Sequence, residues 1–176
     1  MVLNQKCVRE GRVDLQKSRT MKTLPRDSAK ILQSEDVLVN STGQGTLGRV
    51  ARWTKINAEA SVDSHISIVR VDKNVADPTF VGTLLLDYES RIEALAEGST
   101  GQTELGRQAL TLLPLRLPSL EEQREVGVLV RSLSRLMDAK EDENLRLAAT
   151  RDELLPLLMS GKITVKDAEK TVEEVV

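Results

Sequence analysis

The chain has 176 residues, enough for one ordinary domain and an additional segment, and 30% of its residues are charged. One cysteine, Cys7, and one histidine, His65, exclude a disulfide framework and metal sites with several thiolate or imidazole ligands, so no metal or cofactor is predicted. No apolar run approaches the roughly 18 residues of a membrane span. We therefore expect a cytoplasmic protein with no membrane partner.

The net charge of −2 conceals a gradient along the chain. Residues 1–60 contain 11 Lys and Arg against 6 Asp and Glu, whereas residues 119–176 contain 9 against 13. A basic first third suits a polyanionic partner, although an ordinary fluctuation of surface charge explains the gradient equally well. The candidate phosphate contacts, which could equally be ordinary solvated side chains, are Lys6, Arg9, Arg12 and Lys17.

The first half of the chain has the pattern of short strands and turns. Glu10-Gly11 predicts a hairpin turn, and the compact apolar run 37–39 predicts a buried strand. Alternation in SHISIVRVD predicts a further strand, in which Arg70 is expected to pair with Asp63 or Asp72.

The next segment is predicted to begin with a helix and to end in extended structure. Asp77-Pro78 marks the start of the helix, because proline is at home in the first helical position, and Gly98 would stop it. GSTGQTELG is a second glycine-rich loop, and LTLLPLRLPSL predicts a strand that leads into an extended crossover.

A first glycine-rich loop, NSTGQGTLGR (40–49), contains G-x-G-x-x-G and nearly spells a Walker A motif. Arg49 and Val50 occupy the positions of the motif's Lys and Ser/Thr, so the magnesium ligand of a P-loop is absent, and no second βα unit follows. Two interpretations stay open: a tight β-loop whose glycines permit positive φ, and a loop that approaches DNA. In the second, the contacts would come from Thr42, Gln44, Thr46 and Arg49.

From Ser119 onward the sequence predicts one long helix. Ser119 and Glu122 form a capping-box pattern, and apolar residues then recur with alternating spacings of three and four. Lys140, Glu143 and Thr150 interrupt this row, which is a coiled-coil pattern of moderate quality. The apolar members, a predicted dimerisation seam, are Val126, Leu129, Leu133, Leu136, Leu147 and Leu154.

Several linked motifs in one order resemble the specificity (S) subunit of type I restriction–modification enzymes. They are SEDVLVNSTGQGTLGRVA, DSHISIVRVD, DPTFVGTLLL, EGSTGQTELGRQALTLLPLRLPSLEEQREV and RDELLPLLMSGKITV. The resemblance implies an α+β fold, with a small mixed β-rich target recognition domain at 1–118, one long coiled-coil spacer helix at 119–165 and an acidic tail at 166–176. It further implies a subunit without catalytic residues that reads a bipartite site in double-stranded DNA. Its protein partners would be methyltransferase (M) subunits and, through the complex, restriction (R) subunits.

The chain departs from the family pattern in having one recognition domain and one spacer helix where a complete member usually has two. The strands and glycine-rich segment that usually open the family's domain are also missing from its start. We therefore predict a homodimer that pairs the helices of two copies, the alternative being a helix that folds back on its own domain. An alternative function is an assembly protein that binds methyltransferase subunits without reading DNA.

Overall fold

The computed structural model describes residues 1–21, 28–55, 59–98 and 103–173. It divides into two compact units, Met1–Val130 and Arg131–Val176. The strands of the described residues are β1 (Val2–Leu3), β2 (Val8–Arg9), β3 (Arg12–Val13), β4 (Val37–Asn40), β5 (Val50–Arg52), β6 (Ser61–Val62) and β7 (Ile66–Val69). The α-helices are α1 (Pro78–Asp87), α2 (Glu89–Glu93), α3 (Arg107–Thr111), α4 (Leu120–Met159) and α5 (Val165–Glu173).

The first unit is organised around a three-stranded antiparallel sheet with β4 in its centre. β4 pairs with β5 on one side and with β7 on the other, while β1 pairs with β6 in parallel and β2 with β3 in a hairpin. All four residues of β4 are buried. Leu38 packs into one core cluster with Trp53, and its neighbours Val37 and Val39 pack into a second cluster on the opposite face. The predicted buried strand is thus covered on both faces.

Helix α1 packs against β5 and covers the second core cluster. Its start follows the prediction, because the Asp77 carboxylate accepts a hydrogen bond from Phe80 N at 2.9 Å and Pro78 occupies the first turn. At Gly82 an added Cβ would lie 2.7 Å from the Arg52 Cδ atom, so the absence of a side chain allows the helix to approach the sheet closely.

Helix α4 begins with the predicted capping box. Ser119 N and Oγ donate to Glu122 Oε2 at 2.9 and 2.6 Å, and these bonds lower the pKa of the Glu122 carboxyl below its usual value. Gln123, only 2% exposed, then joins this turn to α1: its Oε1 accepts from Asp77 N at 3.1 Å and its Nε2 donates to Pro118 O at 2.8 Å. The start of α4 is therefore an integral part of the first unit.

The second unit contains the rest of α4 and the short helix α5. α4 ends at Met159, before the predicted limit at 165. Gly161, two residues after this end, has a φ of 69°. Gly161 N bonds to Leu158 O and Lys162 N to Leu157 O, which is the Schellman arrangement that terminates a helix. Within the described residues no helix combines the length and the apolar character needed to cross a bilayer.

The structure corrects two sequence-based expectations. Arg70 pairs with Asp36, not with Asp63 or Asp72: its Nε and Nη2 donate to the Asp36 carboxylate at 2.8 and 2.7 Å. Asp36 is almost fully buried, and its hydrogen bonds raise the pKa of the Arg70 guanidinium. The expected strand in LTLLPLRLPSL is also wrong, because its first two residues end α3, its last residue begins α4, and residues 112–119 are neither helix nor strand.

Candidate nucleic-acid interface

The first glycine-rich loop connects the antiparallel strands β4 and β5. Gly43, Gly45 and Gly48 all have positive φ, at 111°, 68° and 80°, in the left-handed region that favours glycine. At Gly48 an added Cβ would also lie 2.9 Å from the backbone nitrogen of Glu93 in α2. The residues after the loop form a strand, whereas a dinucleotide or P-loop site requires a helix whose N-terminus faces the phosphates. The loop therefore lacks the geometry of either nucleotide-binding motif.

Asn40, which is fully buried, fixes the loop from below. Its Nδ2 donates to Thr46 O across the loop and to Gln5 O in the N-terminal segment, both at 3.0 Å. Gly48 N bonds in turn to Asn40 O at 2.9 Å. This role of Asn40 was not predicted, although an asparagine that precedes a glycine-rich turn is a signal for such side-chain bonding.

The four predicted contact residues of the loop differ in accessibility. Gln44 is exposed at the tip, while Thr42 and Arg49 are half-buried. Thr42 Oγ1 lies 2.7 Å from Nδ1 of the exposed His65, which occupies a turn just before β7 rather than the strand itself. The Thr46 hydroxyl oxygen is buried beneath the loop, faces Gly43 and has no hydrogen-bond partner, so in this conformation it is not presented to solvent.

The four N-terminal cations lie on three segments of the first unit. Lys6 follows Gln5, the residue bonded to the loop through Asn40, and Lys17 O accepts a bond from Asn4 Nδ2 at 3.1 Å, so the segments of Lys6 and Lys17 are neighbours. Arg9 and Arg12 face each other across the β2–β3 hairpin, whose turn contains Glu10 and Gly11 as predicted.

The side chains of the predicted seam on α4 are accessible in a single chain. Val126, Leu129, Leu133 and Leu136 are 41%, 66%, 61% and 58% exposed. Leu147 and Leu154 are half-buried. Four accessible apolar side chains on one row of a helix form the kind of patch that marks an interaction surface.

Candidates for chemistry are few in the described part of the chain. His, Cys, Asp and Glu side chains there form no cluster of three that could hold a metal ion. Cys7 is buried in the first core cluster, and this burial raises the pKa of its thiol, so it behaves as a small apolar side chain. The second glycine-rich loop, in contrast, lies partly outside the described residues, at 99–102.

The observed architecture, small sheets followed by one long helix, confirms the predicted α+β class, and comparison with a solved structure agrees. The crystal structure of the HsdS subunit from Thermoanaerobacter tengcongensis matches with a TM-score of 0.51 and 20% identity, over 88% of this chain and 40% of that one. In sequence, the chain is 23% identical over 137 residues to a Methanocaldococcus jannaschii protein named as the MjaX type I restriction enzyme specificity subunit. That match covers 78% of this chain and 31% of the relative. No family model matches the chain.

These two findings confirm the resemblance inferred from the motifs. This chain is similar to part of a type I restriction–modification specificity subunit, and it spans less than half the length of either protein.

Proposed function

We propose that this chain is a non-catalytic DNA-recognition subunit of a type I restriction–modification system. Its role is to bring methyltransferase subunits, and through the complex restriction subunits, to a bipartite DNA target. The observation that carries the proposal is the sequence match along 78% of the chain to a protein named as a specificity subunit. The domain limits 1–118, 119–165 and 166–176 belong to the same proposal.

The surface around the first glycine-rich loop is the proposed DNA contact. Gln44 at the exposed tip can bond to a base edge through its amide, and Arg49 and Thr42 can bond to a base or to phosphates. Thr46 belongs to the same proposed contact set, and its buried hydroxyl would reach DNA only after a change in the loop. The phosphate contacts would come from Lys6, Arg9, Arg12 and Lys17.

The proposed assembly is a homodimer formed through α4. A second copy would cover the exposed seam residues and set two recognition domains at a fixed spacing, which is the geometry that reads two separated half-sites. The DNA target of such a dimer is palindromic, with a spacer that neither copy contacts.

Selection from a randomised DNA duplex library tests DNA recognition. The purified chain, alone and with its cognate methyltransferase, is used to retain duplexes at moderate salt, and the retained DNA is sequenced. Recovery of a two-part motif supports the proposal. Gln44→Ala should relax the motif at one position of each half, whereas Gln108→Ala, which alters an exposed glutamine of α3, should leave it unchanged. Lys6→Ala should weaken binding to all sequences alike and reduce the salt slope by about 1.

The exposed seam also favours a second function, that of an assembly protein that binds methyltransferase subunits without reading DNA. Retention that is absent, or that depends on salt without any base preference, would support this second function and contradict the first. Co-purification with the methyltransferase then measures the assembly role directly.

A further inference from the structure

The strand β7 borders a groove on the surface of the first unit. One edge of β7 pairs with β4, while the other has no neighbouring strand among the described residues. The groove along this free edge has a volume of about 440 Å³, and none of the residues proposed to contact DNA lines it. Residues 29–30 and the end of β6 form one wall, since Ile31 bridges to Ser61, and helix α3 forms the other. The groove thus follows the length of a strand edge.

The free edge of β7 presents backbone groups that point away from the sheet. Ser41 N donates to His65 O at 2.9 Å, which makes these two residues a hydrogen-bonded pair of the antiparallel ladder. Such pairs recur at every second position, so the backbone of Ile66 and of Ile68 faces the groove rather than β4. On this side no group in the described part of the chain bonds to the backbone of either isoleucine. Two donors and two acceptors are therefore available to an added strand.

The walls of the groove offer apolar contacts to both rows of side chains of such a strand. Val62 belongs to the first core cluster and Leu110 packs against the second, so the two walls stand on opposite faces of the sheet. A strand added beside β7 would direct its successive side chains toward these walls in turn. β-branched residues are the ones that suit such half-buried positions in a strand.

Cations outnumber acids in the lining of the groove. Arg70 is one of three cations there, but the buried carboxylate of Asp36 balances its charge. Lys30 on one wall and Arg107 on the other have no acidic partner in the described part of the chain. Asp63 is the only acid of the lining. Two cations against one acid leave the groove complementary to a segment that carries negative charge.

The backbone groups at the edge favour a peptide over DNA as the occupant. The carbonyl oxygens of Ile66 and Ile68 require donors, and the phosphodiester backbone of DNA has none. A peptide strand offers N–H and C=O groups in the alternation that the edge requires. The β7 edge of a second copy would bring the same excess of positive charge to the groove, which opposes association.

We propose that the free edge of β7 binds an extended, acidic segment of a partner protein by strand addition. The segment would pair with the backbone of Ile66 and Ile68, and its β-branched side chains would contact the two walls. A carboxylate on each side of the segment would lie near Lys30 on one wall and near Arg107 on the other. This surface is distinct from the proposed DNA contact and from the seam on α4, so the inference goes beyond the proposed function.

Amide hydrogen exchange, followed by NMR in the full-length chain, tests strand addition. The probe is a blocked hexapeptide of valines with glutamate at its second and fifth positions, which places one carboxylate toward each wall. At millimolar concentration it should slow exchange of the Ile66 and Ile68 amides on the order of tenfold. The same hexapeptide with lysine in place of glutamate should have little effect. A version with an N-methylated backbone keeps the charges but cannot pair with the edge, so it should also have little effect.

Charge reversal in the groove tests the two cations. Lys30→Glu and Arg107→Glu should each raise the dissociation constant of the acidic hexapeptide on the order of threefold to tenfold and should improve binding of the lysine version. Arg116→Glu, which reverses an exposed cation outside the groove, is the matched control and should change little. Circular dichroism checks that every variant keeps its fold.

The possible results separate the proposed occupant from the others. Unchanged exchange with the acidic hexapeptide, or an equal effect of the lysine or N-methylated version, would overturn strand addition by an acidic segment. Slower exchange on adding duplex DNA instead of the peptide would assign the groove to DNA, and slower exchange on concentrating the chain alone would assign it to a second copy. Either result would also overturn the proposal. None of these outcomes bears on selection of a DNA motif by the loop, which has its own test.

Discussion

Replacing Gly48 by alanine should destabilise the first unit much more than the same change at Gly45. Both glycines have positive φ in the same loop, at 80° and 68°, so both substitutions incur the left-handed strain of about 1–2 kcal/mol. In both variants alanine also reduces the conformational freedom of the unfolded chain, which offsets about 0.4–1 kcal/mol of this strain. The surroundings differ: a Cβ at Gly45 meets nothing within 4 Å, while one at Gly48 lies 2.9 Å from the Glu93 backbone nitrogen.

The close contact at Gly48 adds an overpacking cost of about 1–3 kcal/mol, because the atom in the way is backbone of α2 and cannot rotate aside. We therefore expect Gly45→Ala to lower the free energy of unfolding by about 0.5–1 kcal/mol and Gly48→Ala by about 2–4 kcal/mol. Urea denaturation followed by fluorescence measures both, since the single tryptophan, Trp53, lies in the first core cluster and is 1% exposed. Equal losses at the two positions would refute the argument from close approach.

Two further predictions concern the start of α4. Gln123→Ala should destabilise the first unit by about 2–4 kcal/mol, because it removes the acceptor that Gln123 offers to the buried Asp77 N–H and creates a cavity. Urea titration measures the loss, with substitution of the exposed Gln108 by alanine as the control. Equal midpoints for the two variants would contradict the prediction. Ser119→Ala should lower stability at neutral pH, and the difference should shrink in acid to the part that comes from losing the bond of Glu122 N–H to Ser119 Oγ, which does not depend on the charge of Glu122. The pKa of Glu122 is lowered in the folded state, so the stability that its bonds to Ser119 contribute is present above its unfolded pKa and is lost as the pH falls through the folded one. A difference in thermal midpoint that stays constant down to strongly acidic pH would contradict this.

The sequence correctly predicted the structural features that depend only on residues close to one another in the chain. The run 37–39, the turn at Glu10-Gly11 and the capping box at Ser119 each depend on residues within a few positions of one another, and all three were confirmed. The predicted ion pair of Arg70 was wrong because its true partner, Asp36, is 34 positions away and is brought near by the pairing of β4 with β7. A rule based on sequence proximity selects the nearest acids and cannot represent a contact that the sheet creates.

The error at LTLLPLRLPSL has a related cause. An apolar composition allowed a strand, but a strand requires a neighbour with free backbone groups, and the two prolines supply no N–H for a ladder. The segment instead begins in α3 and continues without regular structure to the capping box at Ser119. The sequence of the first glycine-rich loop predicted its contact residues but not the hydrogen bonds of Asn40 beneath it. One of these bonds could not be read locally, because it joins the Asn40 side chain to Gln5, which is 35 positions away.

The residues that shape the loop differ from those proposed to contact DNA. Asn40, Gly43 and Gly48 fix the path of the backbone through buried bonds and positive φ, whereas Gln44 stands exposed at the tip. Substitution at an exposed tip changes the groups offered to a base edge without disturbing the bonds beneath it, so it is expected to cost little stability. A recognition protein built in this way can acquire a different target sequence while its fold is retained. Gln44 is therefore the position where we expect changes of specificity to be separable from changes of stability.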